Sequence, residues 1–359
     1  MIELDGSKGG GQIIRTALAL STITGRPFKA INIRKSRPKP GLKPQHIAAI
    51  KALKELCNAE VKGDELGSSE LYYYPKEIEP KDLDIDIGTA GSITLLMQSL
   101  ILPAMLCGKQ MKVSITGGTC GLGQMPIEYF QNVFFPHIKK YTKDFQVNLI
   151  KRGYYPKGKG VVEFIIKPEY KVGNFDEFIE KNKETFKKIF LIEQGHLLQI
   201  KGVSHASFDL ESKKISERQA RAATLNLKKL GCPINIRQEY QKALSTGTGI
   251  TCYAICSIDH EEIDFDNPIL IGADSFGKLG KTSEKVGNEC ARELIRAIRS
   301  KAPVDKHLAD NLIPFMAIFG GEMKVEEITN HTITNIEVCE LFLEKKFEVD
   351  LEKNRIKIE

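Results

Sequence analysis

Four short stretches of this chain hold residue types suited to handling phosphate. Residues 5–15 run from Asp5 through Lys8 to three glycines, Gly9, Gly10 and Gly11, and then to Gln12 and Arg15. Glycines ahead of a helix leave backbone N–H groups uncovered, and the helix dipole there favours an anion. Arg15 lies one turn into that helix and reaches the same place. Residues 34–43 carry five cations, Arg34, Lys35, Arg37, Lys39 and Lys43, among the prolines Pro38, Pro40 and Pro44. Proline fixes the backbone, so these side chains are held. Arginine offers two parallel N–H donors to a phosphate. Gln45 and His46 open the following helix and point to the same loop. His331 stands among hydrogen-bonding residues from Thr329 to Asn335. An unprotonated imidazole is a competent nucleophile toward phosphorus, and nearby guanidinium groups can stabilise the charge that develops. Finally, Asp305 is a helix N-cap in sequence, and His307 and Asp310, three apart, share one helical face. Each stretch also has a plainer reading: a tight turn, a solvated loop, a surface histidine, a cap.

What lifts these stretches above the plain reading is the scaffold that carries them. An apolar helix, a glycine turn and a Lys-containing strand recur three times, with helices over 16–25, 95–108 and 312–320 and strands over 28–34, 111–116 and 323–329. A polar loop with different chemistry follows each strand: Arg34 to Arg37, Gly117 to Thr119, and Asn330 to Thr332. Amphipathic helices are expected over 45–57, 127–138 and 336–344, where apolar residues recur at three- and four-residue steps. Strands are expected after them at Val61 and 71–74, at 147–150 and 161–166, and at 347–350 and 355–358. The unit is βαβαββ, two helices on one face of a four-stranded sheet. Three units must pack through their helices to bury that face. The first and second units and the third, residues 1–185 and 301–359, are separated by different material over 186–300. There the pattern reads β-α-β-β-β-α, a smaller α/β domain inserted into the repeated one. The expected class is α/β (α+β).

At 359 residues the length suits about two domains. No run of 18 apolar residues exists, so no membrane span is expected. The N-terminus lacks the basic-then-apolar pattern of a signal peptide. Eight scattered cysteines suit a reducing cytoplasm, and their spacing does not read as a zinc site. A net charge of +6 permits a nucleic-acid or phosphate ligand, as it permits an ordinary Lys-rich surface.

In this order the motifs resemble the RNA 3′-terminal phosphate cyclase family over essentially the whole chain. The matching residues are Gly9 to Arg15, Thr24 to Phe28, Arg34 with Arg37 to Leu42, and Gln45 with His46. They continue with Gly88 to Ser92, Gln98, Gly117 to Thr119, Arg152 to Pro156, Leu308 to Asp310, and His331 with Thr334 to Ile336. The resemblance implies that a histidine, here His331, attacks the α-phosphate of ATP and releases pyrophosphate. AMP then passes to an RNA 3′-terminal phosphate, giving RNA(3′)pp(5′)A. The neighbouring 2′-oxygen closes a 2′,3′-cyclic phosphate and expels AMP. It further implies ATP contacts at Arg15, Gln98, Pro126, Tyr129, His307 and Asp310, and RNA or phosphate contacts at Arg34, Arg37, Lys39, Gln45 and His46. A divalent metal, Mg²⁺ or Mn²⁺, and a thioredoxin-like inserted domain are implied too; the metal's ligands and the oligomeric state are not.

The chain departs from the family pattern in places. Lys8 stands in a shortened stretch where the family has an acid, Cys120 replaces an aspartate, and His307 replaces an aromatic. These changes cluster around the expected metal and adenine regions. Two other readings compete. A non-catalytic, cyclase-like RNA-binding protein of ribosome assembly would lack the nucleophilic histidine. An enolpyruvyl transferase shares the repeated unit but needs six copies.

Overall fold

The protein is described here by a computed structural model covering residues 1–259 and 262–359. The first unit runs β1 (Ile2–Asp5), α1 (Gly11–Thr24), β2 (Phe28–Ile31), α2 (Pro44–Cys57), β3 (Glu60–Lys62) and β4 (Leu71–Tyr74). The second runs β5 (Leu83–Asp86), α3 (Ile93–Leu106), β6 (Met111–Gly117), α4 (Ile127–Tyr129), α5 (Phe135–Ile138), β7 (Thr142–Lys151) and β8 (Gly160–Pro168). A five-residue π turn, Phe130–Phe134, joins α4 to α5. After α6 (Phe175–Asn182) comes β9 (Ile189–Leu191). Then follow β10 (His196–Ser207), α7 (Ile215–Leu227), β11 (Ile234–Gln241), β12 (Thr248–Ser257), β13 (Ile269–Phe276) and α8 (Ser283–Arg299). The chain ends with α9 (Lys306–Phe319), β14 (Gly321–Lys324), α10 (Asn330–Leu343), β15 (Glu348–Asp350) and β16 (Arg355–Ile358).

Three sheets share one topology. Their orders are β1-β2-β4-β3, β5-β6-β8-β7 and β9-β14-β16-β15. In each, the first two strands are parallel and the last two pair antiparallel as a hairpin. Alternation explains the buried faces. Leu71 and Tyr73 of β4 point inward and Tyr72 and Tyr74 outward, while Met111, Val113 and Ile115 of β6 are buried. The helices fill the centre: α1 packs on α3 and α10, and α9 on α10. Helix α3 is apolar almost all round and correspondingly buried, as a central helix must be. The fourth sheet, β11-β10-β12-β13, is covered by α7 and α8.

Several boundaries differ from the sequence reading. Helix α1 begins at Gly11, α9 at Lys306 and α10 at Asn330, each earlier than its apolar repeat. First turns are built from capping and polar residues, which carry no apolar period. Asp305 caps the second of these and Thr329 the third, through side-chain oxygens. The strand expected over 323–329 stops at Lys324. Strand β9 falls inside the span read as the insert, yet it pairs with β14 in the third sheet. It stands apart from the repeat that announced the other short strands, β3 and β15, so only the pairing reveals it.

A candidate active site at converging helix N-termini

Polar side chains clamp α1 to α10 and α10 to α9. Gln12 Nε2 donates to Thr334 Oγ1 at 3.0 Å, and Thr16 Oγ1 donates to Asn335 Oδ1 at 2.9 Å. Asn335 Nδ2 donates to the Asp310 carbonyl at 2.8 Å. The starts of α1 and α10 are thereby brought together, and both present N–H groups. Gly11 is required by close approach. A Cβ there would lie 2.5 Å from His46 Nε2 and 2.8 Å from Arg15 Nη1.

His331 occupies the first turn of α10 rather than a loop before it. Its Nδ1 lies 3.7 Å from Asp310 Oδ2, and its Nε2 lies 3.3 Å from Arg37 Nη2. The carboxylate favours the tautomer with the proton on Nδ1, so the Nε2 lone pair accepts from Arg37 Nη2. Nearly half of the His331 side chain is open to solvent (47%), so a ligand can reach it.

Arg15 and His46 lie deeper. The Arg15 guanidinium is pulled down to about 10 by burial and by Arg34, against the pull of Asp310, so it remains a cation at neutral pH. Its Nε donates to Gln98 Oε1 at 2.6 Å, and Gln98 in turn donates to Asn311 Oδ1. His46 Nδ1 accepts from the Lys43 N–H at 3.0 Å, so the neutral ring carries its proton on Nε2. That Nε2–H is buried and has no protein partner. Burial first, then Arg15, Arg34 and Lys43, push the imidazole down to about 3. His46 is therefore a fixed, uncharged donor beside Gly11 and Arg15, suited to a phosphate oxygen.

The basic loop is less uniform than its sequence suggests. Arg34 Nη1 donates to the carbonyls of Lys39 and Gly41, so this guanidinium closes its own loop. Arg37 reaches His331, whereas Lys39 is exposed on the loop. Gln45 Oε1 accepts from the Ser92 N–H at 3.2 Å, tying the first unit to the second. Lys8 is exposed; its carbonyl accepts from Asn330 next to His331. Cys120 is buried, and burial together with Glu128 pushes its thiol up.

A cleft of about 1940 Å³ extends from His331 to the inserted sheet. Arg15, Gln98, Pro126, Tyr129, His307 and Asp310 all line it. Tyr129, however, is a latch as much as a wall. Its hydroxyl donates to both Asp305 oxygens at 2.7 and 2.8 Å, and its ring packs against Gly272 of β13. His307 is exposed at the start of α9. Asn311 and Asp274 also line the cleft, and sequence reasoning passed over both. Asn311 carried a signal, being adjacent to Asp310 in the matched motif; Asp274 carried none.

Among the described residues no cluster of three or more His, Cys, Asp or Glu could hold a metal ion. Near His331 the carboxylate of Asp310 faces the cation Arg15, and Arg37 occupies the other ring nitrogen. This donor set does not make a protein-held centre for the divalent ion that the resemblance implies.

The fold and this arrangement define a phosphate-handling class of α/β protein with a candidate histidine nucleophile. The profile of the family described as RNA 3′-terminal phosphate cyclase matches residues 7–349. An RNA 3′-terminal phosphate cyclase of Pyrococcus furiosus is 45% identical over 97% of this chain and 95% of its own length. One from Saccharolobus solfataricus is also 45% identical, over 97% of this chain and 96% of its own. The chain belongs to the RNA 3′-terminal phosphate cyclase family.

Proposed function

We propose that this chain converts an RNA 3′-terminal phosphate to a 2′,3′-cyclic phosphodiester at the expense of ATP, through a covalent His331–AMP intermediate. The observation that carries this reading is the setting of His331, with Asp310 beside Nδ1 and Arg37 beside Nε2. As Arg37 turns from Nε2 to the phosphate oxygens, the Nε2 lone pair attacks the α-phosphorus; a P–N bond forms and the bond to pyrophosphate breaks. Arg15, Arg37 and the Nε2–H of His46 supply charge and a fixed donor for the phosphate oxygens. The terminal phosphate of RNA then attacks the same phosphorus, breaking the P–N bond and giving RNA(3′)pp(5′)A. The ribose 2′-oxygen, losing its proton, closes on the 3′-phosphorus and expels AMP. A deoxyribose end lacks that oxygen, so RNA is the substrate. The cleft seats the nucleoside against Pro126, Tyr129 and His307, within reach of Gln98. The cysteines are all unpaired, in keeping with a reducing compartment such as the cytoplasm.

Incubation with α-labelled ATP should leave a label on the protein, and His331→Ala should abolish it. A label that persists in this variant would overturn the assignment of the nucleophile. Absence of cyclic ends after adenylation would overturn the reaction.

A further inference from the structure

The cleft is larger than one nucleotide needs. Its volume of about 1940 Å³ exceeds the roughly 300–1,000 Å³ of a site for one small molecule. Beyond His331 and the nucleoside wall, the remainder lies between a turn of the second unit and two loops of the inserted sheet. The Gly158 N–H donates to the Tyr154 carbonyl at 2.8 Å, closing a turn that carries Tyr155. Tyr154 is buried and bonds His205, so the turn stands on a fixed base. The Lys157 N–H donates to Ser245 Oγ at 3.1 Å, which joins the turn to the loop between β11 and β12. The Gly277 N–H donates to the Thr248 carbonyl at 3.0 Å and brings up the loop after β13. Four large apolar side chains line this mouth, each more than half exposed: Leu122, Tyr155, Leu244 and Leu279. Single exposed apolar residues are ordinary, but four around one opening mark a binding surface. Among the described residues no hydrogen bond or ion pair involves Nζ of Lys157 or Lys278, which line the same mouth. Glu289 on that wall is taken up by Lys281.

We propose that this mouth holds the RNA strand just upstream of its reacting end, with Tyr155 stacked on a base and Lys157 and Lys278 on backbone phosphates. The substrate is then a single-stranded 3′ end. This deepens the cyclisation reading above and rests on it. A strand whose terminal phosphate sits at His331 has to leave the cleft, and here unpaired cations stand where its phosphates would pass. The face of a tyrosine stacks on any base, so such a contact grips a strand without reading its sequence. Leu122, Leu244 and Leu279 shield the stacked base from water. A duplex end stacks its bases on one another and leaves no face for Tyr155. A protein is the other class of occupant for an apolar rim, but two unpaired cations favour a polyanion.

The test uses the full-length protein and a fluorescent, 3′-phosphorylated RNA of about twelve nucleotides, with binding read by anisotropy. Tyr155→Ala should weaken binding of the single strand by about tenfold, and Tyr155→Phe, which keeps the stacking face, should restore it. Lys157→Ala combined with Lys278→Ala should lower the slope of log affinity against log salt by about 1.4. The same RNA closed into a blunt duplex should bind the wild type about tenfold more weakly, and Tyr155→Ala should leave that duplex affinity unchanged. Far-UV circular dichroism should match the wild type in every variant, since all three side chains are exposed. Wild-type strand affinity in Tyr155→Ala, no recovery in Tyr155→Phe, or an unaltered salt slope overturns the proposal. So does equal affinity of the wild type for the strand and for a 3′-phosphorylated mononucleotide, which would give the mouth to a protein partner. Loss of strand binding in Tyr155→Ala, together with no cyclic ends from the wild type, would uphold the mouth and overturn the cyclisation reading alone.

Discussion

At the scale of single residues, the site divides its work between a charged pair and an uncharged donor. Asp310 stands 3.7 Å from Nδ1 of His331 and favours the proton there, so Asp310→Asn should slow protein labelling by about a hundredfold or more. ATP binding by dialysis should change much less. His46 makes the opposite kind of contribution. Its imidazole is driven down to about 3, so its Nε2–H does not titrate at working pH. His46→Leu should therefore weaken binding of a 3′-phosphorylated RNA by roughly tenfold, by the same factor at pH 6 and pH 8. A loss confined to one of these pH values would contradict a neutral donor. Much of this set was legible in the chain, because Arg15, Arg37, His46 and His331 stand in motifs whose residue types suit phosphate. The pairing of Asp310 with His331 was not, since it depends on how α9 and α10 cross. Nor was the inward use of Arg34, whose guanidinium is spent on the loop that the prolines shape.

At the scale of elements, precision comes from helix starts. Gly11 opens α1 where His46 and Arg15 leave no room for a side chain. Gly11→Ala should lower turnover by about a hundredfold through misplacement of those two groups, while far-UV circular dichroism stays unchanged. Thr329→Ala removes the α10 cap and should cost about 1 kcal/mol in urea unfolding. The periodic helices and the hairpins could be read because their apolar steps are long and regular, as in α2 and β8. The first turns of α1, α9 and α10 could not, because they carry no apolar period, and β9 could not, because its partner β14 lies beyond the inserted sheet.

At the scale of the molecule, a buried ionic knot fastens the inserted sheet to the repeated units. Arg152 lies between Glu128 of α4 and Glu239 of β11, and His205 of β10 bonds the Tyr154 hydroxyl through Nδ1 at 2.9 Å. Burial alone would lower the Arg152 guanidinium; Glu128, Tyr154 and Glu239 more than offset it. Arg152→Ala leaves the buried Glu128 carboxylate uncompensated, while Glu239 keeps Arg237, and should cost about 3–5 kcal/mol, measured by urea denaturation. Acid should weaken the whole fold as well. His46 and His137 are lowered by burial to about 3, and His205 is lowered well below its ordinary value. The unfolded chain takes up these protons near pH 6.5 and the native one does not, so stability is full above that pH and falls as pH drops toward 3. With all three neutral in the native state, the slope reaches about 4 kcal/mol per pH unit around pH 5. His137→Phe should flatten it by about a third.

The separation of β9 from β14 has a consequence for the order of assembly. During synthesis β9 leaves the ribosome early, and its partner appears only after the whole inserted sheet has been made. Until then β9 is a strand with an open edge, tethered to its future neighbour by a long loop. The third sheet closes last, and with it arrive α9 and α10, which carry Asp310 and His331. The stretch that carries Asp310 and His331 is therefore made after the inserted sheet, so a chain that stops short of α10 has neither the third sheet complete nor His331.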